Sequence, residues 1–261
     1  MEQRAYKTIA VAAEAGVARV TLNRPEKRNA LGPRAINELL WALADAEADA
    51  EIRSVVLTGA GKAFCAGADF AEMMQPPDAD GLEIRGDFKD LLLGMCGTTK
   101  PIVARVNGAA LGGGLGLVAA STFAVASRDA KLGTPEINVG LFPFMILAVL
   151  ERVMPRRRLV EMMLAGEIMP AEEAQRVGLL NKVVAAEELD GAVAAYTDLV
   201  ASKSPLTVRL GLSALRETEQ LTLEQKLPLL SRRLLECLGS EDAREGLTAF
   251  LQKRKPQWTG R

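Results

Sequence analysis

Two glycine-bearing turns, Ala66-Gly67-Ala68-Asp69 and Gly112-Gly113-Gly114, carry the chemistry that this sequence can be read for. The first lies just past the β-branched run Ser54-Val55-Val56-Leu57-Thr58-Gly59 and the segment Lys62-Ala63-Phe64-Cys65. The second follows Pro101-Ile102-Val103-Ala104-Arg105-Val106-Asn107-Gly108 and opens into Leu115-Gly116-Leu117-Val118-Ala119-Ala120, which reads as a buried helix. A helix N-terminus offers unpaired N–H donors and a partial positive charge. Two main-chain amides aimed at one carbonyl would stabilise an oxyanion that exists only in the transition state, and losing one such donor typically costs about a hundred- to a thousandfold in rate.

The chain has no histidine. That removes Ser–His–Asp and Cys–His nucleophile systems and leaves a zinc site only carboxylates and three scattered cysteines. A general acid or base at neutral pH has to be Asp, Glu, Lys, Tyr or Cys.

The elements that must position these turns alternate between strand and helix, which predicts an α/β protein. Residues 8–12 and 17–22 alternate like a hairpin about Glu14-Ala15-Gly16, and Asn23 to Asn29 is a polar loop. Pro33 opens an amphipathic helix to Ala50, with Ile36, Leu39, Leu40 and Leu43 at helical spacing. Strand 54–59, a helix near 82–96, strand 101–106, helix 114–121 and strand 123–127 follow. Gln75-Pro76-Pro77-Asp78-Ala79-Asp80-Gly81 reads as a loop able to serve as a substrate lid. Beyond residue 143 a short strand at 180–184 is predicted, then Leu/Ala-faced helices at 186–202, 204–217, 222–238 and 241–255, an apolar tail suited to docking on a neighbouring subunit.

With 261 residues, 49% hydrophobic and 25% charged, the chain can bury a substantial core. Its 32 basic and 33 acidic residues give a formal charge of −1, which argues against nucleic-acid or anionic-membrane partners. Arg156-Arg157-Arg158 and Lys253-Arg254-Lys255 read as solvated faces or helix termini. Cys65, Cys96 and Cys237 are odd in number and widely spaced, which fits a reducing compartment. Without a signal-peptide core or a membrane-length apolar run, the expected location is cytoplasmic.

From about Thr21 to about Val184 the chain resembles the crotonase (enoyl-CoA hydratase/isomerase) superfamily. The likeness runs through Leu22 to Leu31, Ala63-Phe64-Cys65-Ala66-Gly67-Ala68-Asp69, Pro101 to Gly114, Thr134-Pro135-Glu136-Ile137, and Ala171-Glu172-Glu173-Ala174 to Gly178-Leu179-Leu180. The resemblance implies a spiral of ββα units over residues 1–195 and a helical trimerisation region over 196–261, assembled as a trimer or a dimer of trimers. It implies acyl-CoA thioester substrates and no metal or redox cofactor, coenzyme A being part of the substrate. The family's two oxyanion donors fall on the N–H groups of Ala68 and Gly113. Arg28, Ala66 and Asp69 match positions lining the bound coenzyme A, and the planar Arg28 guanidinium suits its phosphates. Leu141 and Phe142 are expected to wall the acyl pocket.

The family's hydratases carry one Glu three residues after the middle glycine and another twenty residues later. Those positions here are Gly116 and Glu136. A lone Glu136 fits double-bond migration, with burial among Leu141, Phe142 and Phe144 expected to raise its pKa. Glu83, Asp87 or Asp90 could supply a relocated second carboxylate and so restore hydration. Two further readings compete. One is a non-catalytic acyl-CoA-binding homologue. The other is an NAD-dependent oxidoreductase, because Gly114-Leu115-Gly116-Leu117-Val118-Ala119 fits G-x-G-x-x-A.

Overall fold

The structure is a computed structural model that describes residues 4–74 and 82–261. An antiparallel hairpin, β1 (Ile9–Glu14) and β2 (Val17–Leu22), turns at Ala15-Gly16, where both residues have positive φ. Helix α1 (Pro33–Ala48) follows. Its Glu38 is fully buried and accepts from the N–H groups of Lys7, Thr8 and Ile9 and from Thr8 Oγ1 at 2.6–3.2 Å, with Arg34 Nε at 3.0 Å. One carboxylate thereby ties the helix to the approach to β1. Nothing in the helical periodicity distinguishes it from a solvated glutamate.

Three turns of chain then repeat one pattern. Strand β3 (Ser54–Gly59) leads to β4 (Ala63–Cys65), followed by α2 (Phe70–Met73) and α3 (Phe88–Gly97). Strand β5 (Ile102–Val106) leads to β6 (Ala109–Leu111) and α4 (Gly113–Ala120); β7 (Phe123–Ser127) leads to β8 (Lys131–Gly133), α5 (Phe144–Leu150) and α6 (Arg156–Ala165). The first strand of each turn enters a large sheet and the second a small one, so the chain winds as a spiral of β-β-helix units, as expected. Strand β9 (Ile168–Pro170), α7 (Ala171–Arg176) and β10 (Lys182–Val184) complete the sheets in the orders β1-β2-β3-β5-β7-β10 and β4-β6-β8-β9.

The central strands are parallel and covered on both faces, which requires near-continuous apolar sequence. Every residue of β3 is buried. Its side chains alternate between two cores. Val55 and Leu57 join the main cluster beneath α1 and α3, whereas Val56 packs with Val103, Val125 and Leu189 of α8 (Leu189–Ala201) on the other face. Arg105 of β5 fixes that helix with a bidentate pair to Asp190 at 2.8 and 3.0 Å. The sequence boundary at residue 195 falls within α8. Helices α9 (Pro205–Thr218), α10 (Leu223–Leu238) and α11 (Glu241–Leu251) end the chain.

Four three-residue strands and helices α5 to α7 were not separable from loop in the sequence. The helix expected near 82–96 begins only at Phe88, because Asp87 and Asp90 form a reciprocal cap there. The lid reading at 75–81 lies outside the described residues. Arg158 is not simply solvated but joins Glu161, Glu167 and Glu173 at 2.6–3.3 Å, locking α6 to α7. The three cysteines are free. Among the described residues no helix is long and apolar enough to cross a membrane.

Candidate active site

The turn at 66–69 is held by side chains that read as loop residues in the sequence. Asn29, buried and with φ of 57°, donates from Nδ2 to the carbonyls of Ala60 and Ala63 at 2.9 and 2.8 Å. Asn107 donates from Nδ2 to Gly61 O at 3.0 Å and accepts from Gly59 N at 3.2 Å. The Arg28 carbonyl accepts from Ala66 N, Leu31 N donates to Gly67 O at 2.8 Å, and Asp69 N donates to Leu31 O at 2.9 Å. Leu31 thus takes the groups on either side of Ala68 in a parallel bridge, which turns the Ala68 N–H away from Leu31.

The second turn begins at Gly112, whose φ of 50° and ψ of −122° suit glycine alone. Gly113 is the first residue of α4, so its N–H has no partner within the helix. The two turns touch: a Cβ built on Gly67 (φ 99°) would lie 3.7 Å from Gly113 N. Gly112 N donates to Gly133 O at 3.0 Å, tying this turn to the strand that leads to Glu136.

Glu136 lies in a one-turn helix, Pro135–Val139, closed by Gly140 at φ 80°. Its Oε2 is buried and has no hydrogen-bond partner among the described residues. Burial pushes its pKa above the ordinary glutamate value. Phe144, expected to contribute to that burial with Leu141 and Phe142, borders the same cavity as Glu136 while remaining 72% exposed, and it leans on Phe142 with ring centroids 4.9 Å apart. The carboxylate also packs on the Gly112 backbone.

Ala68, Gly113, Glu136, Leu141 and Phe142 all border one cavity of about 400 Å³. The remaining wall is apolar, including Phe70, Met73, Phe88 and Ile146, and among the described residues Glu136 is its only ionisable side chain. Phe88 is placed by a chain of contacts. Asn37 of α1 accepts from Arg85 N and Gly86 N at 2.6 and 3.1 Å, and the Asp87 cap then starts α3. Of the wall residues, Phe88 and Ile146 carried no motif in the sequence.

Arg28, Ala66 and Asp69 do not line this cavity. Arg28 is exposed, and Ala66 sits beside its backbone. The Asp69 carboxylate caps α2 and pairs with Lys27 at 3.1 Å and Arg24 at 3.5 Å. That pairing holds it below the usual carboxylate range despite burial. Arg24 also grips Glu72 at 2.9 Å.

Glu83 is exposed, and Asp87 and Asp90 are occupied in the α3 cap, so none of the three faces the cavity. At Gly116 an added Cβ would stand 2.4 Å from Ile146 Cγ2 and 3.5 Å from Phe88 Cζ. The space where a second carboxylate would begin is occupied by hydrocarbon. The dinucleotide-binding reading also fails on geometry. Strand β6 intervenes between β5 and α4, Gly114 is used to let α4 approach Cys65 O, and Glu136 lies in a one-turn helix rather than at a strand end.

Residues 12–261 match the family model described as enoyl-CoA hydratase/isomerase. The chain is 37% identical over 257 residues to a probable enoyl-CoA hydratase of Bacillus subtilis, covering 97% of this chain and 98% of that protein. It is 35% identical over 248 residues to a short-chain-enoyl-CoA hydratase of Clostridium acetobutylicum, covering 93% and 94%. The crystal structure of an enoyl-CoA hydratase of Mycobacterium smegmatis superposes with a TM-score of 0.90 at 34% identity, covering 97% of this chain and 99% of that one.

Proposed function

The chain belongs to the enoyl-CoA hydratase/isomerase family, and on that premise we propose that it moves the double bond of an enoyl-CoA thioester with Glu136 as its single acid–base group. The thioester carbonyl oxygen would lie between the N–H groups of Ala68 and Gly113. Glu136 removes a proton from the α-carbon of a 3-enoyl thioester, the electron pair moves to the carbonyl oxygen as an enolate, and the two amides hold that charge. The protonated Glu136 then returns the proton at the γ-carbon, leaving the 2-enoyl thioester. The observation that carries this reading is that, among the described residues that line the cavity, Glu136 alone is ionisable, while Gly116 is closed over by Ile146 and Phe88. Burial of the Glu136 carboxylate supports the role, since a base with a raised pKa removes a carbon-bound proton more readily.

Leu141 and Phe142 would contact the acyl chain, and the apolar wall favours an unsubstituted hydrocarbon tail. Outside the cavity, the exposed Arg28 would meet the phosphates of coenzyme A, with the main chain of Ala66 and Asp69 beside it. Leu223, Leu227, Leu234 and Leu238 of α10 are each more than half exposed, which supports burial of this face against further copies of the chain in a trimer or dimer of trimers. A cytoplasmic setting accords with three free thiols.

Hydration is the second reading, favoured by the names of the relatives. It requires groups that hold and deprotonate water, and Glu136 would have to serve alone.

Supplying 3-enoyl-CoA and following growth of the conjugated thioester absorbance tests the proposal. Growth that is lost in Glu136→Gln supports it. No conversion of 3-enoyl-CoA, with rapid loss of 2-enoyl-CoA by water addition, contradicts it.

A further inference from the structure

We propose that Ile146 and Phe88 form a hydrocarbon plug over Gly116 that keeps water from Glu136, so that the proton lifted from the α-carbon is handed to the γ-carbon before it can exchange. This inference rests on the isomerase reading above and adds the residues that set the outcome of the proton's transfer. Gly113 and Gly116 are three apart on α4 and face the same way. Phe88 spans both: its Cζ would stand 3.4 Å from a Cβ on Gly113 and 3.5 Å from one on Gly116. Ile146, only 3% exposed on α5, closes the other side with Cγ2 at 2.4 Å from the Gly116 Cβ position.

An ordered water needs room and two to four polar partners. At Gly116 there is neither a side chain to hold one nor space beside the helix. Among the described residues the buried Oε2 of Glu136 has no hydrogen-bond partner, and the side chains around it on the cavity wall are apolar. In the transfer, the α-carbon to hydrogen bond breaks, a Glu136 oxygen to hydrogen bond forms, and the double bond shifts from β,γ to α,β as the proton is delivered to the γ-carbon. No atom is gained or lost, and no other reactant takes part.

Deuterium placed at both α positions of a 3-enoyl-CoA reads the plug directly, by mass spectrometry of the product formed in ordinary water at early conversion. Wild-type product should retain both deuterium atoms, one left at the α-carbon and one delivered to the γ-carbon. Ile146→Ala removes Cγ2 and Phe88→Leu removes Cζ, and each should yield product that has lost one deuterium to solvent. Ile146→Val keeps both γ-carbons and should retain the label. Because the label count is a ratio within each product molecule, it is independent of how much of a variant folds, and either plug variant suffices for the comparison. Full exchange by the wild type, or unchanged retention in Ile146→Ala or Phe88→Leu, would overturn the inference while leaving the isomerase reading standing. Absence of any 2-enoyl product from the wild type would instead sink the isomerase reading and the plug with it.

Discussion

Glu136 rests on the backbone of Gly112: a methyl group added to Gly112 would stand 2.4 Å from Glu136 Oε1 and 3.0 Å from its carboxyl carbon. The residue after Gly112 is Gly113, whose N–H opens α4. One tight turn therefore sets both the height of the carboxylate and the direction of the amide it would work against.

Gly112→Ala should lower turnover of 3-enoyl-CoA by about a hundredfold or more, within the range lost when a positioned acid–base group is displaced. The substitution forces a strained φ and pushes the carboxylate aside. Steady-state kinetics should place the loss in kcat, with coenzyme A ester binding by calorimetry largely kept.

The pH dependence follows from the burial of Glu136. Its pKa is raised in the fold, so the basic form needed to take the α-proton appears only above the ordinary glutamate range, and kcat/KM should rise with pH through that higher value. Stability should move the opposite way. Between the unfolded and folded pKa values the native state holds more protons, so folding weakens as pH rises through this window. Denaturant melts should show Glu136→Gln more stable than the parent above the window and level with it in acid, while its turnover falls about a hundred- to ten-thousandfold.

Arg28→Ala should raise KM for coenzyme A thioesters by about fivefold or less and leave kcat unchanged, since exposed ion pairs contribute up to about 1 kcal/mol. Repeating the assay in added salt should shrink the difference between parent and variant. A fall in kcat with no change in KM would remove Arg28 from coenzyme A binding.

Glu38→Ala should cost about 3–5 kcal/mol of folding stability, as expected when one partner is removed from a buried charged pair and its donors are stranded. The N–H groups of Thr8 and Ile9 and the Arg34 guanidinium all turn to this carboxylate. Chemical denaturation measures the loss, and the folded fraction should keep its kcat because Glu38 does not border the cavity.

The α/β alternation and the two glycine turns were legible in local sequence, whereas the spiral and the grouping of Ala68, Gly113, Glu136, Leu141 and Phe142, which border one cavity, followed from the resemblance to the crotonase superfamily. What escaped was of two kinds. Strands β4, β6, β8 and β9 are three residues long, too short for alternation to register. Phe88 and Ile146 act through space, brought to Gly116 by the packing of α3 and α5 on α4, and neither residue type nor spacing announces such a contact. Burial of Glu136 beside Leu141, Phe142 and Phe144 was anticipated, and all four border the cavity; the close approach of its carboxylate to the Gly112 turn was not.

The central claim is that one carboxylate, facing two main-chain amides, moves a proton without adding water. Incubation of the enzyme with 3-enoyl-CoA and, separately, 2-enoyl-CoA in oxygen-18 water, with products weighed by mass spectrometry, tests it most directly. The account predicts that 3-enoyl-CoA becomes 2-enoyl-CoA carrying no oxygen-18 and that this conversion disappears in Glu136→Gln. Rapid formation of oxygen-18-labelled 3-hydroxyacyl-CoA from 2-enoyl-CoA, or unchanged conversion in the Gln variant, would contradict it.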